Sequence, residues 1–227
     1  MDEGADLKNA FYFTNYNGSD AQFLEWFLPP EIRCVLNKKF SKKQRNKELK
    51  DYTGHTYKTK CKEIKIGTEK ANKDWAHTEK KYFGLVDKIF KKHPWPKGRY
   101  VGYATIYNMY PRDISRKTFF FPYKHRLPGL ANQTIAHEML HFIFFDYISK
   151  RYRLKENSIL KNKPQKYLWE VSEVFNSVMA SWPPYKKIFG RDPYGTYPGT
   201  EKMYKKMRGQ WQKEQDIDRL LDKWLKT

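Results

Sequence analysis

The chain has 227 residues, 39% of them hydrophobic and 17% aromatic, which is enough to build a packed core and excludes disorder along its whole length. Its 45 Lys and Arg against 25 Asp and Glu leave a net charge of +20, a balance that favours anionic partners and carries no information about fold. The acidic start MDEGADLKNAFYF has no basic stretch leading into an apolar one, and no apolar run approaches the roughly 20 residues of a membrane span, so a cytoplasmic protein is expected and a secreted or membrane-spanning one is not.

Residues 1–65 read as an irregular basic arm, richest in lysine between Lys38 and Lys50. Within it and near its end, Cys34 and Cys61 are too few and too far apart for a disulfide framework or a CxxC metal clip, so reduced thiols are expected. Residues 66–190 read as a core domain. It opens with a helix from Thr68 to His93, in which Trp75, Tyr82, Leu85, Val86, Ile89 and Phe90 recur at helical spacing until Pro94 and Pro96 stop it. Two strands follow. Tyr100 to Tyr107 is β-branched and aromatic, and Lys117 to Tyr123 carries Pro122, which marks an edge or a strand end. After the Pro128-Gly129 turn a helix runs from Leu130 to about Lys150, and another starts near Pro164 and stops before Pro183. Residues 191–227 complete the chain as a loop and a helix with Ile217, Leu220, Leu221 and Trp224 on one stripe. This order predicts an α+β domain: a small mixed or antiparallel sheet packed against a helix pair, with helical additions at both ends.

The chemistry is concentrated on the first helix of that pair, which reads Thr134-Ile135-Ala136-His137-Glu138-Met139-Leu140-His141-Phe142-Ile143. Histidines four apart on a helix lie one above the other, so both imidazoles can reach one metal ion. Glu138 projects about 100° round from His137, where it can act on a water without ligating the metal. Apart from His141, every residue from Met139 to Phe145 is apolar, so the helix is expected to be buried. Three ionisable side chains on a buried helix are costly unless something satisfies them, and a zinc ion does.

Catalytic zinc takes three protein ligands and leaves one position open. The six histidines are His55, His77, His93, His125, His137 and His141, and none follows His141, so the third ligand is expected to be a carboxylate. The next helix, Leu168-Trp169-Glu170-Val171-Ser172-Glu173-Val174-Phe175-Asn176, offers Glu170 and Glu173. Glu170 borders the apolar stripe of Leu168, Val171, Val174, Phe175 and Val178, whereas Glu173 lies on the opposite face with Trp169, Asn176 and Ala180. Periodicity slightly favours Glu170. The otherwise uncharged face around Glu173 is what a cleft wall requires. Asn176 is a candidate partner to orient a ligating histidine. Asp146 is expected to bond a backbone group or a lysine, and Asp192 and His125 read as loop residues.

These residues resemble the zincin metallopeptidases. Thr134 stands three residues before His137, Met139 and Leu140 between the histidines are uncharged, and Phe142 and Ile143 follow. Glu173-Val174-Phe175 is similar to the Glu-x-Phe of gluzincin-type aminopeptidases, and the spacing from Glu173 to Pro183 resembles minimal gluzincin-like domains. The resemblance implies a zincin-like fold, one catalytic Zn2+ held by His137, His141 and Glu173, and Glu138 as general base in peptide hydrolysis. It also implies a strand before the metal helix, here Lys117 to Tyr123, that holds extended substrate by β-pairing. Tyr194 and Tyr197, in the glycine-containing loop after the ligand helix, are candidate oxyanion stabilisers.

The expected function is therefore zinc-dependent hydrolysis of a polypeptide. No acidic anchor for a substrate amine is identifiable, which favours an endopeptidase over an aminopeptidase. The alternative is a regulatory or inactive metallopeptidase-like protein that binds nucleic acid or an acidic partner through its basic surface. No helix-turn-helix, zinc-finger or RNA-binding signature supports that alternative, and a merely structural zinc has no need of Glu138.

Overall fold

Lysine, arginine, glutamate and glutamine are strong helix formers even without an apolar stripe. The residues from Lys42 onward show this in the computed structural model, which describes residues 2–15, 24–37, 39–190 and 196–226. The arm expected to be irregular is largely helical: α1 (Glu3–Asn15), α2 (Leu24–Phe27), a 3₁₀ segment (Pro30–Leu36) and the first part of α3 (Lys42–Ile89). Ion pairs between residues four apart, Lys47–Asp51 and Lys70–Asp74, both at 2.6 Å, lace the exposed face of α3. A break from helical geometry at Lys60 (φ −110°, ψ 16°) divides this element. It ends at Ile89, short of Pro94, with Lys91 and Lys92 in left-handed conformations.

The fold is α+β, with a three-stranded mixed sheet in the order β1-β3-β2. β1 (Val101–Thr105) runs parallel to β3 (Thr118–Pro122), pairing Tyr103 with Phe120. The two-residue β2 (Arg112–Asp113) lies antiparallel on the other side of β3. β3 is thus the central strand of the described sheet, so of the two readings of Pro122 the strand end holds and the edge does not, and a strand paired on both sides is not open to pair with an extended substrate. Pro122 is tolerated because it is the last residue of the strand.

The described chain divides into two compact units, residues 1–75 with 99–135 and residues 76–98 with 136–227. This division crosses the boundaries at 65 and 190 anticipated from composition. The first unit holds α1, the sheet and the N-terminal part of α3. Its core includes Ala10, Leu28, Ile32, Val35, Leu49, Tyr107 and Met109. Gly67 in α3 lies so close to the Tyr123 carbonyl that a Cβ would sit 2.1 Å from its oxygen, so only glycine fits there.

Asp6 is fully buried in this unit. Its carboxyl accepts hydrogen bonds from the Thr105 hydroxyl, from the Ile106 amide at 2.9 Å and from the Tyr57 hydroxyl at 3.1 Å. These bonds favour the charged form, but loss of hydration outweighs them and pushes the carboxyl up to about 6 from an ordinary 3.8. The fold therefore holds this proton more tightly than the unfolded chain does. The associated stability is fully present below pH 3.8 and is lost as pH rises through about 6. At 1.36 kcal/mol per pH unit the effect is roughly 3 kcal/mol. Urea unfolding of wild type and Asp6→Asn at about pH 4 and about pH 7 should show wild type losing most of that amount relative to the variant. A pH-independent difference would mean that the buried carboxyl does not change its ionisation on folding.

The second unit is helical. α4 (Leu130–Tyr152) and α5 (Tyr167–Ser181) are followed by α6 (Pro183–Phe189), α7 (Glu201–Lys213) and α8 (Ile217–Leu225). α6 was not expected: Pro183 and Pro184 end one helix and open a new one at its first positions. The C-terminal helix is likewise two, since the Asp216 side chain accepts the Asp218 and Arg219 amides and caps a fresh start. The predicted stripe Ile217, Leu220, Leu221 and Trp224 is buried, and the Trp224 carbonyl accepts the Tyr167 hydroxyl at 3.2 Å. Cys34 and Cys61 are exposed free thiols. No described helix is long and apolar enough to cross a membrane.

Candidate metal centre

The helix carrying the histidines is fixed by its own composition. Leu140 and Ile143 are fully buried, Phe142, Phe144 and Phe145 nearly so, and the Tyr82 hydroxyl donates to the Ala136 carbonyl at 2.8 Å, one residue before His137. α5 is held against α4 by aromatic contacts. Phe175 lies 5.3 Å from Phe144 and 5.9 Å from Phe90, and meets Trp211 edge-on at 6.5 Å. Phe144 is three residues beyond His141 and Phe175 two beyond Glu173, so this packing sets the register that brings the polar side chains together.

His137, His141 and Glu173 converge. The two Nε2 atoms are 3.0 Å apart, Glu173 Oε2 is 3.1 Å from His137 Nε2, and Glu173 Oε1 is 3.3 Å from His141 Nε2. One donor atom from each residue lies within 4.8 Å of the others, the one such group of three His, Cys, Asp or Glu among the described residues. Donors on a tetrahedral zinc at ~2.0–2.1 Å stand about 3.3 Å apart. The observed separations are within a few tenths of an ångström of that edge, and two neutral imidazoles with a carboxylate are a donor set zinc takes. The residues therefore fit the ion.

Burial is graded across the group. The His141 side chain is 0% exposed and Glu173 10%, but His137 is 35% exposed, so the centre meets solvent on the His137 side. Glu138 is buried as well, and its Oε1 stands 3.9 Å from His137 Nε2, beside the three-donor group and outside it.

No protein-family model, curated protein or solved structure matches this chain. Its chemistry must be read from these side chains alone.

The other candidates are placed as follows. Glu170 pairs with Lys166 at 3.1 Å, four residues back on the same helix, and is not part of the cluster. Asp146 binds Lys150 at 2.8 Å, as expected of it, and also His93 at 2.7 Å. His125 accepts the Leu127 amide at 3.1 Å within its loop. Tyr197 stacks edge-on against Trp169 at 4.7 Å, about one turn along α5 from Glu173. Tyr194 and Asp192 lie outside the described residues.

Asn176 is placed differently from what its helix position implied. A partner that fixes a ligand's tautomer bonds the ring nitrogen facing away from the metal. The Asn176 amide instead lies 3.0 Å from His141 Nε2, the nitrogen that faces His137 and Glu173. Helical periodicity names the face of a residue but not which ring nitrogen its side chain meets, so no sequence signal carried this contact.

Proposed function

We propose that this chain is a zinc-dependent metallopeptidase of gluzincin-like type. The observation that carries the reading is the convergence of His137, His141 and Glu173 from two helices, with the buried Glu138 carboxylate beside them but outside the donor group. A zinc ion held there would supply a Lewis acid that polarises a peptide carbonyl and lowers the pKa of a water molecule towards neutrality. Glu138 then accepts the proton of the attacking water and returns it to the departing amine nitrogen. The carboxylate is suited to this because helix geometry holds it, buried, 3.9 Å from the Nε2 of His137, the partly exposed member of the group. His141, fully enclosed, would hold the ion from the interior. Three protein donors are the number that catalytic zinc takes, whereas structural zinc takes four. Tyr197, fixed on Trp169 near the ligand helix, remains the described candidate for stabilising the oxyanion.

The test uses purified full-length chain. Metal analysis should give about one zinc per chain, and an unstructured polypeptide substrate should be cleaved, with cleavage lost on chelation and restored by Zn2+. Absence of bound zinc after loading would remove the basis of the proposal. Zinc binding without cleavage of any of a broad set of peptides would favour the inactive scaffold instead.

A further inference from the structure

Helix α7 (Glu201–Lys213) buries Met207 and Trp211, and Trp211 meets Phe175 of α5 edge-on at 6.5 Å, two residues beyond Glu173. The opposite face is cationic. At about 100° per residue, Lys202, Lys206, Gly209 and Lys213 fall within an arc of about 60°, and the three lysines are exposed along roughly 16 Å of helix. Lys205 flanks the stripe and is exposed too. Among the described residues, none of these four lysines has a carboxylate within ion-pair distance. Glu201, the acidic residue of the helix, accepts the Gly199 amide at 3.1 Å in the first turn. The other charged helices differ: α3, α4, α5 and α8 each pair a lysine with an acid four residues away, as in Lys47–Asp51 and Lys226–Asp222. Lys206 Nζ lies 5.4 Å from the centre of the Trp224 ring, a contact that steadies the side chain and brings no opposite charge.

This stripe costs the fold stability. Lys202 and Lys206, four residues apart, repel one another. Gly209, in mid-helix, is the poorest helix former after proline, and a Cβ there would meet nothing within 4 Å, so no packing inside the chain calls for glycine. Local rules broken without a gain inside the molecule point to a ligand outside it. Resting on the peptidase reading above, we infer that the α7 stripe is a docking surface for an acidic segment of the polypeptide substrate. Alternate side chains of an extended chain point the same way about 6.6 Å apart, close to the rise of roughly 6 Å between Lys202 and Lys206. The missing Cβ at Gly209 lets such a segment come close to the helix. An acidic polypeptide fits better than a nucleic-acid strand, because the stripe presents lysines and no aromatic ring on which a base could stack. The surface lies one helix away from Glu173, so it holds a part of the substrate other than the bond that is cut. Such uniform binding lowers KM and leaves kcat unchanged.

The test reads binding without cleavage: fluorescence anisotropy of a labelled oligoglutamate peptide, titrated with the full chain at low salt. Replacing Lys202, Lys206 and Lys213 together by glutamine should weaken binding roughly tenfold, the summed weight of three exposed ion pairs. A control variant with Lys43, Lys58 and Lys62 of α3 replaced by glutamine changes the net charge equally and should stay within about twofold of wild type. Gly209→Leu should raise thermal stability yet weaken peptide binding, opposite signs that a merely structural glycine would not give. Equal losses in the two triple variants would reduce the effect to net charge and overturn the inference, as would a wild-type chain that does not bind the peptide. An oligothymidylate that binds wild type more tightly than oligoglutamate, and is lost from the α7 variant, would overturn it in favour of nucleic acid. Cleavage is measured separately: an acidic extension on a cleavable peptide should lower KM for wild type and not for the α7 variant. A chain that binds oligoglutamate through α7 but cleaves no peptide would defeat the peptidase reading while supporting the surface.

Discussion

Replacing Glu138 by glutamine should lower peptide hydrolysis by roughly a thousandfold, within the 10²–10⁴ range of general acid–base catalysis, while leaving zinc bound. The two effects separate because Glu138 lies beside the donor group without belonging to it, 3.9 Å from His137 Nε2. Glutamine keeps the size and most of the packing of this buried side chain but cannot accept a proton at neutral pH. Most of the loss should appear in kcat, because the proton is transferred in the reaction and not on binding. The measurement is kcat/KM on a cleavable peptide beside metal content for both proteins. A variant that hydrolyses at the wild-type rate removes Glu138 from the mechanism, and one that arrives without zinc makes it a ligand.

How much of this arrangement could be read from residues alone depended on whether burial followed a single period. In α4 the apolar run from Met139 to Phe145 is interrupted by His141 alone, and the helix is buried along that run as the pattern implies. The C-terminal stripe through Trp224 was legible for the same reason. The first third was not, because α1 and the start of α3 are held by propensity, ion pairs and a few apolar contacts, with no continuous stripe to reveal them. The position of β3 was also out of reach. Pro122 is compatible with an edge or with a strand end, and only the pairing of β3 with both β1 and the two-residue β2 separates the two. The choice between Glu170 and Glu173 met a related obstacle. Periodicity weighed Glu170 against one apolar stripe, but α5 buries nearly its whole circumference, including Leu168, Val171, Ser172, Glu173, Phe175 and Asn176. In a helix buried around most of its circumference, the edge of one stripe does not show which glutamate reaches the imidazoles.

That choice carries the second large effect. Glu173→Ala should weaken zinc binding by two to three powers of ten, since apparent zinc affinities of about 10–16 kcal/mol for four-ligand sites amount to roughly 2.5–4 kcal/mol per ligand. Glu170→Ala should leave affinity within about twofold, because Glu170 makes an ion pair with Lys166 on the helix surface, and a single such pair is worth little. The contrast between two glutamates three residues apart on one helix controls for helix propensity and for loss of a negative charge. Both variants delete the same side chain, and only one of these carboxylates reaches the imidazoles, at 3.1 Å and 3.3 Å. Glu173→Ala should also leave the His137–His141 pair in place on α4, so residual weak binding through two nitrogens is expected, where loss of either histidine should leave less. Zinc competition titrations on the three proteins decide the matter. Equal affinity of wild type and Glu173→Ala would show that the convergence of these three side chains is an ordinary buried hydrogen-bond network.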